Sequence, residues 1–159
     1  MFFTKLFQEI KDVTIPLYKI LIPFVFIIKF LEIIGAVDLI AKAFDPLMSL
    51  MGMPAAFGII WVTALVVNIY AALILLVNLL PFIDVSVAQI TILTVAMLLC
   101  HNLVVESAIS RSAGVSFLFT VVFRLISAFF ACWILNLIYT YFNYLNQPFV
   151  TSFTVEPPQ

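Results

Sequence analysis

Four long stretches of nearly unbroken apolar side chains, 16–43, 54–80, 86–110 and 115–141, restrict the solvents in which this chain can fold. A bilayer-spanning helix takes roughly 20 consecutive apolar residues, so each stretch is long enough to cross. Hydrophobic side chains make up 65% of the 159 residues and charged ones 9%, where a soluble domain carries about 45–50% and about 25%. No single core of this size can bury so much apolar surface, and a soluble fold is excluded. The sequence predicts an all-α, polytopic helical membrane protein of about four transmembrane helices.

The charges exclude further classes. Seven Lys/Arg against eight Asp/Glu leave a net charge of -1, with no basic stripe for a phosphate backbone, so no nucleic-acid partner is expected. Cys100 and Cys132 fall inside apolar runs, where a free Cys acts as a small hydrophobe. A single histidine rules out a two-histidine zinc motif, and no Gly-rich phosphate loop or GxSxG elbow occurs. No metal, cofactor or enzymatic activity is expected. The start of the chain lacks the pattern of a cleaved signal peptide.

Three regions follow. Residues 1–15 read as an interfacial amphipathic helix, with Phe3, Leu6, Phe7 and Ile10 on one face. Residues 16–145 form the transmembrane domain, and 146–159 a loose C-terminal tail. Lys29 and Glu32 stand one helical turn apart inside the first span, an intramembrane ion pair. Asp45 and Pro46 are expected to break the chain, because the residue before proline avoids the α region. Gly52 and Pro54 break it again, and the element near 45–54 reads either as broken or re-entrant or as a plain interfacial loop.

The polar residues inside the spans are the functional candidates. In the second span Asn68 sits on a small-residue stripe with Ala64, Ala71 and Ala72, suited to close helix packing. In the third, Asn102, Glu106 and Ser110 recur every four residues, with His101 off that stripe. Ionisable groups within a span are candidates for function because lipid exposure is costly. Gly114 closes this helix as a C′ residue, helped by Arg111. Arg124, embedded in the fourth span, needs an acidic partner; Glu106 is the first choice and Glu32 the second. Lys5, Lys11 and Lys19 lean both termini towards the cytoplasm, against Lys42 and Arg111 on the other side.

Two segments resemble the Gate, or nucleoside-recognition, domain family of membrane proteins. The first is Asp45–Val77, with its PLM helix leading through GMP into a span. The second is His101-NLVVESAISRSAG, ending at Gly114, followed by Phe123-RLISA. The resemblance implies kinship with spore-maturation-type membrane proteins and with the membrane parts of ferrous-iron and concentrative nucleoside transporters. It implies that Gly52 and Pro54 shape a broken element, and that Asn68, His101, Asn102, Glu106 and Arg124 line a central cavity for substrate or coupling. The GTP-hydrolysing domain of the iron transporters is missing from this sequence, and the cysteines match no iron-path motif.

Transporter folds commonly join two repeats around a midplane site, and four spans make one repeat. The expected partners are therefore the lipid bilayer, a second copy or a second Gate-type half, and a small polar solute. The expected location is the bacterial inner membrane. A transporter-like half handling a nucleoside-like solute or ion is the leading expectation, and a non-transporting assembly subunit the alternative.

Overall fold

The computed structural model describes residues 36–150, with scattered positions before them. The Lys29–Glu32 pair and most of the expected interfacial helix lie outside the described residues. Among the described residues six α-helices follow in order: α1 (Ala36–Leu50), α2 (Phe57–Val66), α3 (Ile69–Leu79), α4 (Val87–Leu99), α5 (Leu103–Ser112) and α6 (Phe117–Tyr141). A single 3-10 turn, Leu80–Phe82, follows α3.

Three of these helices end on the same backbone device. Gly52 (φ 73°), Gly114 (φ 91°) and Asn143 (φ 48°) adopt the left-handed conformation just past α1, α5 and α6. In each case the next amide turns back to the carbonyl five residues earlier: Met53 to Met48, Val115 to Ser110 and Tyr144 to Tyr139. This is the Schellman arrangement, in which a left-handed residue lets the chain satisfy the helix's last carbonyls. The breaks expected at Gly52 and Gly114 are therefore made. The break expected at Asp45 and Pro46 is not, since both lie within α1, which runs through Pro46 to Leu50. A proline deletes one intrahelical hydrogen bond, and a packed membrane helix absorbs that loss.

The stretch 54–80, expected to be one continuous span, is two short helices separated at Val67 and Asn68. Its direction follows from contacts with α4. The Gln89 side-chain amide donates to the Gly52 carbonyl (3.1 Å), the Trp61 indole donates to the Ala96 carbonyl (3.2 Å), and the Asn102 amide donates to the Ala64 carbonyl (2.9 Å). α2 therefore runs alongside α4 from its start to just past its end, a depth of about 20 Å at 1.5 Å per residue. Continuing the same way, α3 would add about 16 Å, and residues 80–86 reach at most about 25 Å when extended. They could not bring the chain back to the start of α4. α3 must fold back, and α2 and α3 form a helical hairpin with Asn68 at its tip. The break expected near 45–54 is present as the turn at Gly52, and the fold-back at 57–79 comes in addition to it.

Two segments among the described residues are long and apolar enough to cross a membrane, Val87–Ser112 and Phe117–Tyr141, fewer than the four expected. They run antiparallel, with Cys132 of α6 beside Ile92 of α4 and Arg124 beside Leu99. The core between them and the hairpin holds Met48, Met51, Phe57, Ile60, Trp61, Ile92, Leu93 and Met97, all fully or almost fully buried. Phe44 meets the Trp61 ring edge-on at 5.4 Å. By contrast α6 buries only Ala128 and Cys132, and Leu118, Phe119, Phe123, Ile126, Phe130 and Ile134 point outward. Such a continuous apolar face is stable against acyl chains and not against water.

Residues 145–149 fold back on the start of α4. Val87 donates to the Gln147 carbonyl, Ala88 to the Leu145 carbonyl, and Phe149 to the Val85 carbonyl. Ser86 and Gln89 complete a reciprocal capping box at this helix start.

Candidate functional site at the helix breaks

The second break is in the span that was expected to run unbroken from Ser86 to Ser110. α4 stops at Leu99, Cys100 leaves helical geometry (φ -143°, ψ 56°), and Asn102 turns left-handed (φ 45°, ψ 38°) before α5 begins. Asparagine is among the few side chains that tolerate this conformation, so a chain without Gly or Pro here can still turn. The Asn102 amide then bonds across to Ala64, close to the hairpin tip. Two interruptions thus meet at the middle of the structure, one in the hairpin and one in the long span.

An α-helix leaves its last four carbonyls without intrahelical partners. Here each of the four has a nitrogen within hydrogen-bond distance. Ala96 O accepts from the Cys100 amide and the Trp61 indole; Met97 O and Leu98 O lie 3.1 and 3.2 Å from His101 Nδ1; Leu99 O accepts from Arg124 Nε at 3.1 Å. The end of α4 carries the negative pole of the helix dipole, and the two groups drawn to it are an imidazole and a guanidinium. Glu106 lies in the first turn of α5, at that helix's positive pole. Its carboxylate joins both bases: Oε2 is 2.5 Å from Arg124 Nη1 and Oε1 is 3.2 Å from His101 Nε2.

The break in the helix therefore creates the site. In one continuous helix the backbone groups of 96–105 would bond to one another and leave no pole to match. With the helix interrupted, a negative end attracts two bases, a positive end holds one acid, and the three side chains join across the gap.

The five residues singled out in the sequence are placed as follows. His101, Glu106 and Arg124 form one cluster. Asn102 stands between them but acts through its backbone, and its side chain makes no cap hydrogen bond. Asn68 does not sit on a packing stripe; its Oδ1 accepts from the Ala71 amide at 2.8 Å and so starts α3. The partner of Arg124 is Glu106, the first choice from sequence. Sequence reasoning missed Ser107, whose side chain is fully buried and whose hydroxyl has no hydrogen-bond partner among the described residues. It also missed the amide cluster of Gly52, Gln89 and Asn136. A Cβ on Gly52 would overlap the Asn136 amide, so α1, α4 and α6 approach closely there. The pattern Ser86-x-x-Gln89 was the available signal for that helix start.

The cluster is not sealed. The side chains of His101, Glu106 and Arg124 are 29%, 39% and 17% exposed, so it opens on one side of the chain.

Over 102 residues the chain is 28% identical to the uncharacterized membrane protein YvoD of Bacillus subtilis (strain 168). The matched stretch is 64% of this chain and 31% of the relative, which is thus about twice as long. No protein-family model matches the chain. No solved structure matches it. An all-helical fold, two spanning segments, an apolar outer face and similarity to a membrane protein agree, and the chain is a helical membrane protein.

Proposed function

We propose that this chain is a transporter-like membrane subunit, in effect a half-transporter, that handles a small polar solute, nucleoside-like or ionic, at the junction of its two helix breaks. The observation that carries the reading is the meeting of a re-entrant hairpin with an interrupted span around His101, Glu106 and Arg124. Irregular backbone and ionisable side chains at membrane depth are sustained where protein or a water-filled cavity satisfies them. Interrupted helices facing each other are how secondary transporters build midplane sites. Glu106 and Arg124 would bind or couple the solute, with Asn68 and Asn102 shaping the tip and the turn. The Gate-domain resemblance points the same way.

One side of the cluster is open, so a second unit of similar fold would complete it. A relative about twice as long has room for two such units on one chain. The pairing is accordingly with a second copy or a second Gate-type half in the bacterial inner membrane. Native mass spectrometry of protein extracted from its host membrane should show a dimer or a one-to-one membrane complex. Vesicles reconstituted from that species should take up radiolabelled uridine or a monovalent cation, and Glu106→Gln and Arg124→Ala should each reduce uptake at least tenfold. A lone monomer, or uptake indifferent to both substitutions, overturns the reading.

The open cluster also supports the second reading, a non-transporting assembly subunit. On that reading the same substitutions dissociate the complex, and no solute crosses in the unaltered protein.

A further inference from the structure

Both ring nitrogens of His101 face oxygen. Nδ1 lies against the carbonyls of Met97 and Leu98, and Nε2 against the Glu106 carboxylate. Backbone carbonyls and an ionised carboxylate can only accept, while a neutral imidazole carries a single N–H. A neutral ring would therefore leave one bare nitrogen lone pair pointing at an acceptor, wherever its proton sat. One further proton removes the conflict.

We propose that the His101–Glu106 pair is a proton-binding site and that, in the conformation described, its proton resides on the ring, making His101 an imidazolium. Protonation adds one N–H bond to a ring lone pair and transfers no electrons; the proton comes from water reaching the open side of the cluster. The surroundings decide which partner holds it. The ring lies against the negative end of α4, and the Glu106 carboxylate lies beside the Arg124 guanidinium at the positive end of α5, so the geometry sets a cation on His101 facing an anion on Glu106. Among the described residues Cys100 is the remaining titratable group close by, and it is buried. α2 and α4 bring no charged side chain to the cluster, and α6 brings only Arg124.

Releasing the proton would reverse this. His101 would lose its contact with either Glu106 or the end of α4, and Glu106 would remain paired with Arg124 alone. A single proton thus decides whether the two halves of the broken span are tied together through the imidazole. The inference deepens the transport reading by naming the ion the cluster takes. Its test reads ring nitrogens and not uptake, so the two can fail separately.

His101 is the only histidine, so a protein labelled with 15N-histidine and purified without a polyhistidine tag gives the spectrum of this one ring. In vesicles of phosphatidylethanolamine and phosphatidylglycerol at neutral pH, solid-state NMR should show both ring nitrogens protonated. Glu106→Gln should remove one of the two N–H signals at the same pH, and Glu106→Asp should retain both. One bare ring nitrogen in the unaltered protein overturns the proposal even if neither variant folds. So does a doubly protonated ring that is unchanged in a folded Glu106→Gln protein.

Discussion

At the scale of single residues, the two left-handed glycines separate conformational strain from steric crowding. Gly114 has φ 91° and open space where a Cβ would go; Gly52 has φ 73° and the Asn136 amide in that position. Gly114→Ala carries only the left-handed penalty, about 1–2 kcal/mol. Gly52→Ala adds the displacement of a helix contact, for a total of about 2–4 kcal/mol. Thermal unfolding in a mild detergent should rank the variants in that order, and equal melting temperatures would show that α6 does not press on Gly52. Both glycines were legible in the sequence because no other residue supplies that backbone shape so readily. The pairing of Arg124 with Glu106 was legible for a different reason: a lone guanidinium in an apolar run needs a carboxylate, and few are available. Pro46 misled, since a helix held by neighbours tolerates a missing amide that an isolated one would not.

At the scale of elements, both mid-chain breaks escaped the sequence. Hydrophobic runs such as Phe57–Leu79 and Val87–Ser112 contain no Gly or Pro beyond Gly58 near the start of one, and periodicity alone reads each as a continuous helix. Asparagines mark the interruptions, acting by different means: Asn68 through its side-chain oxygen and Asn102 through its backbone. This gives a test of which part of Asn102 matters. Asn102→Gly keeps the turn and should hold stability within about 1 kcal/mol, whereas a β-branched residue resists positive φ, and Asn102→Val should cost about 2 kcal/mol or more. The check is thermal unfolding of both variants. If Gly and Val are equally harmful, the amide side chain carries the role and not the turn. The convergence of the breaks was beyond the sequence altogether, because it depends on which carbonyl on α2 receives the Asn102 amide.

At the scale of the whole molecule, the two tryptophans report opposite environments. Trp61 is fully buried and hydrogen-bonded, while Trp133 lies 39% exposed on the outer face of α6. In vesicles containing brominated lipids, fluorescence should be quenched through Trp133 and spared at Trp61, so Trp133→Phe should remove most of the quenching. Quenching retained in that variant would mean that α6 faces protein rather than acyl chains. The class of fold followed from composition, because this much apolar surface has one compatible solvent. The number of crossings did not follow, since a hairpin that enters and leaves on one side has the same hydropathy as a helix that passes through.

That hairpin changes the parity of the chain. Counting hydrophobic runs assigns one crossing to residues 54–80 and thereby puts Gly52 and Ser86 on opposite sides. The fold puts them at the same end of the packed helices, so in a bilayer every sidedness assigned downstream by such a count would be inverted. A reporter enzyme fused behind Phe82 and another inserted after Gly52 would give the same compartment signal. One behind Gly114 would give the opposite signal. In any longer protein that carries this unit twice, two such miscounts cancel, and the ends of the chain would look correctly placed while the loops between them were assigned to the wrong compartment.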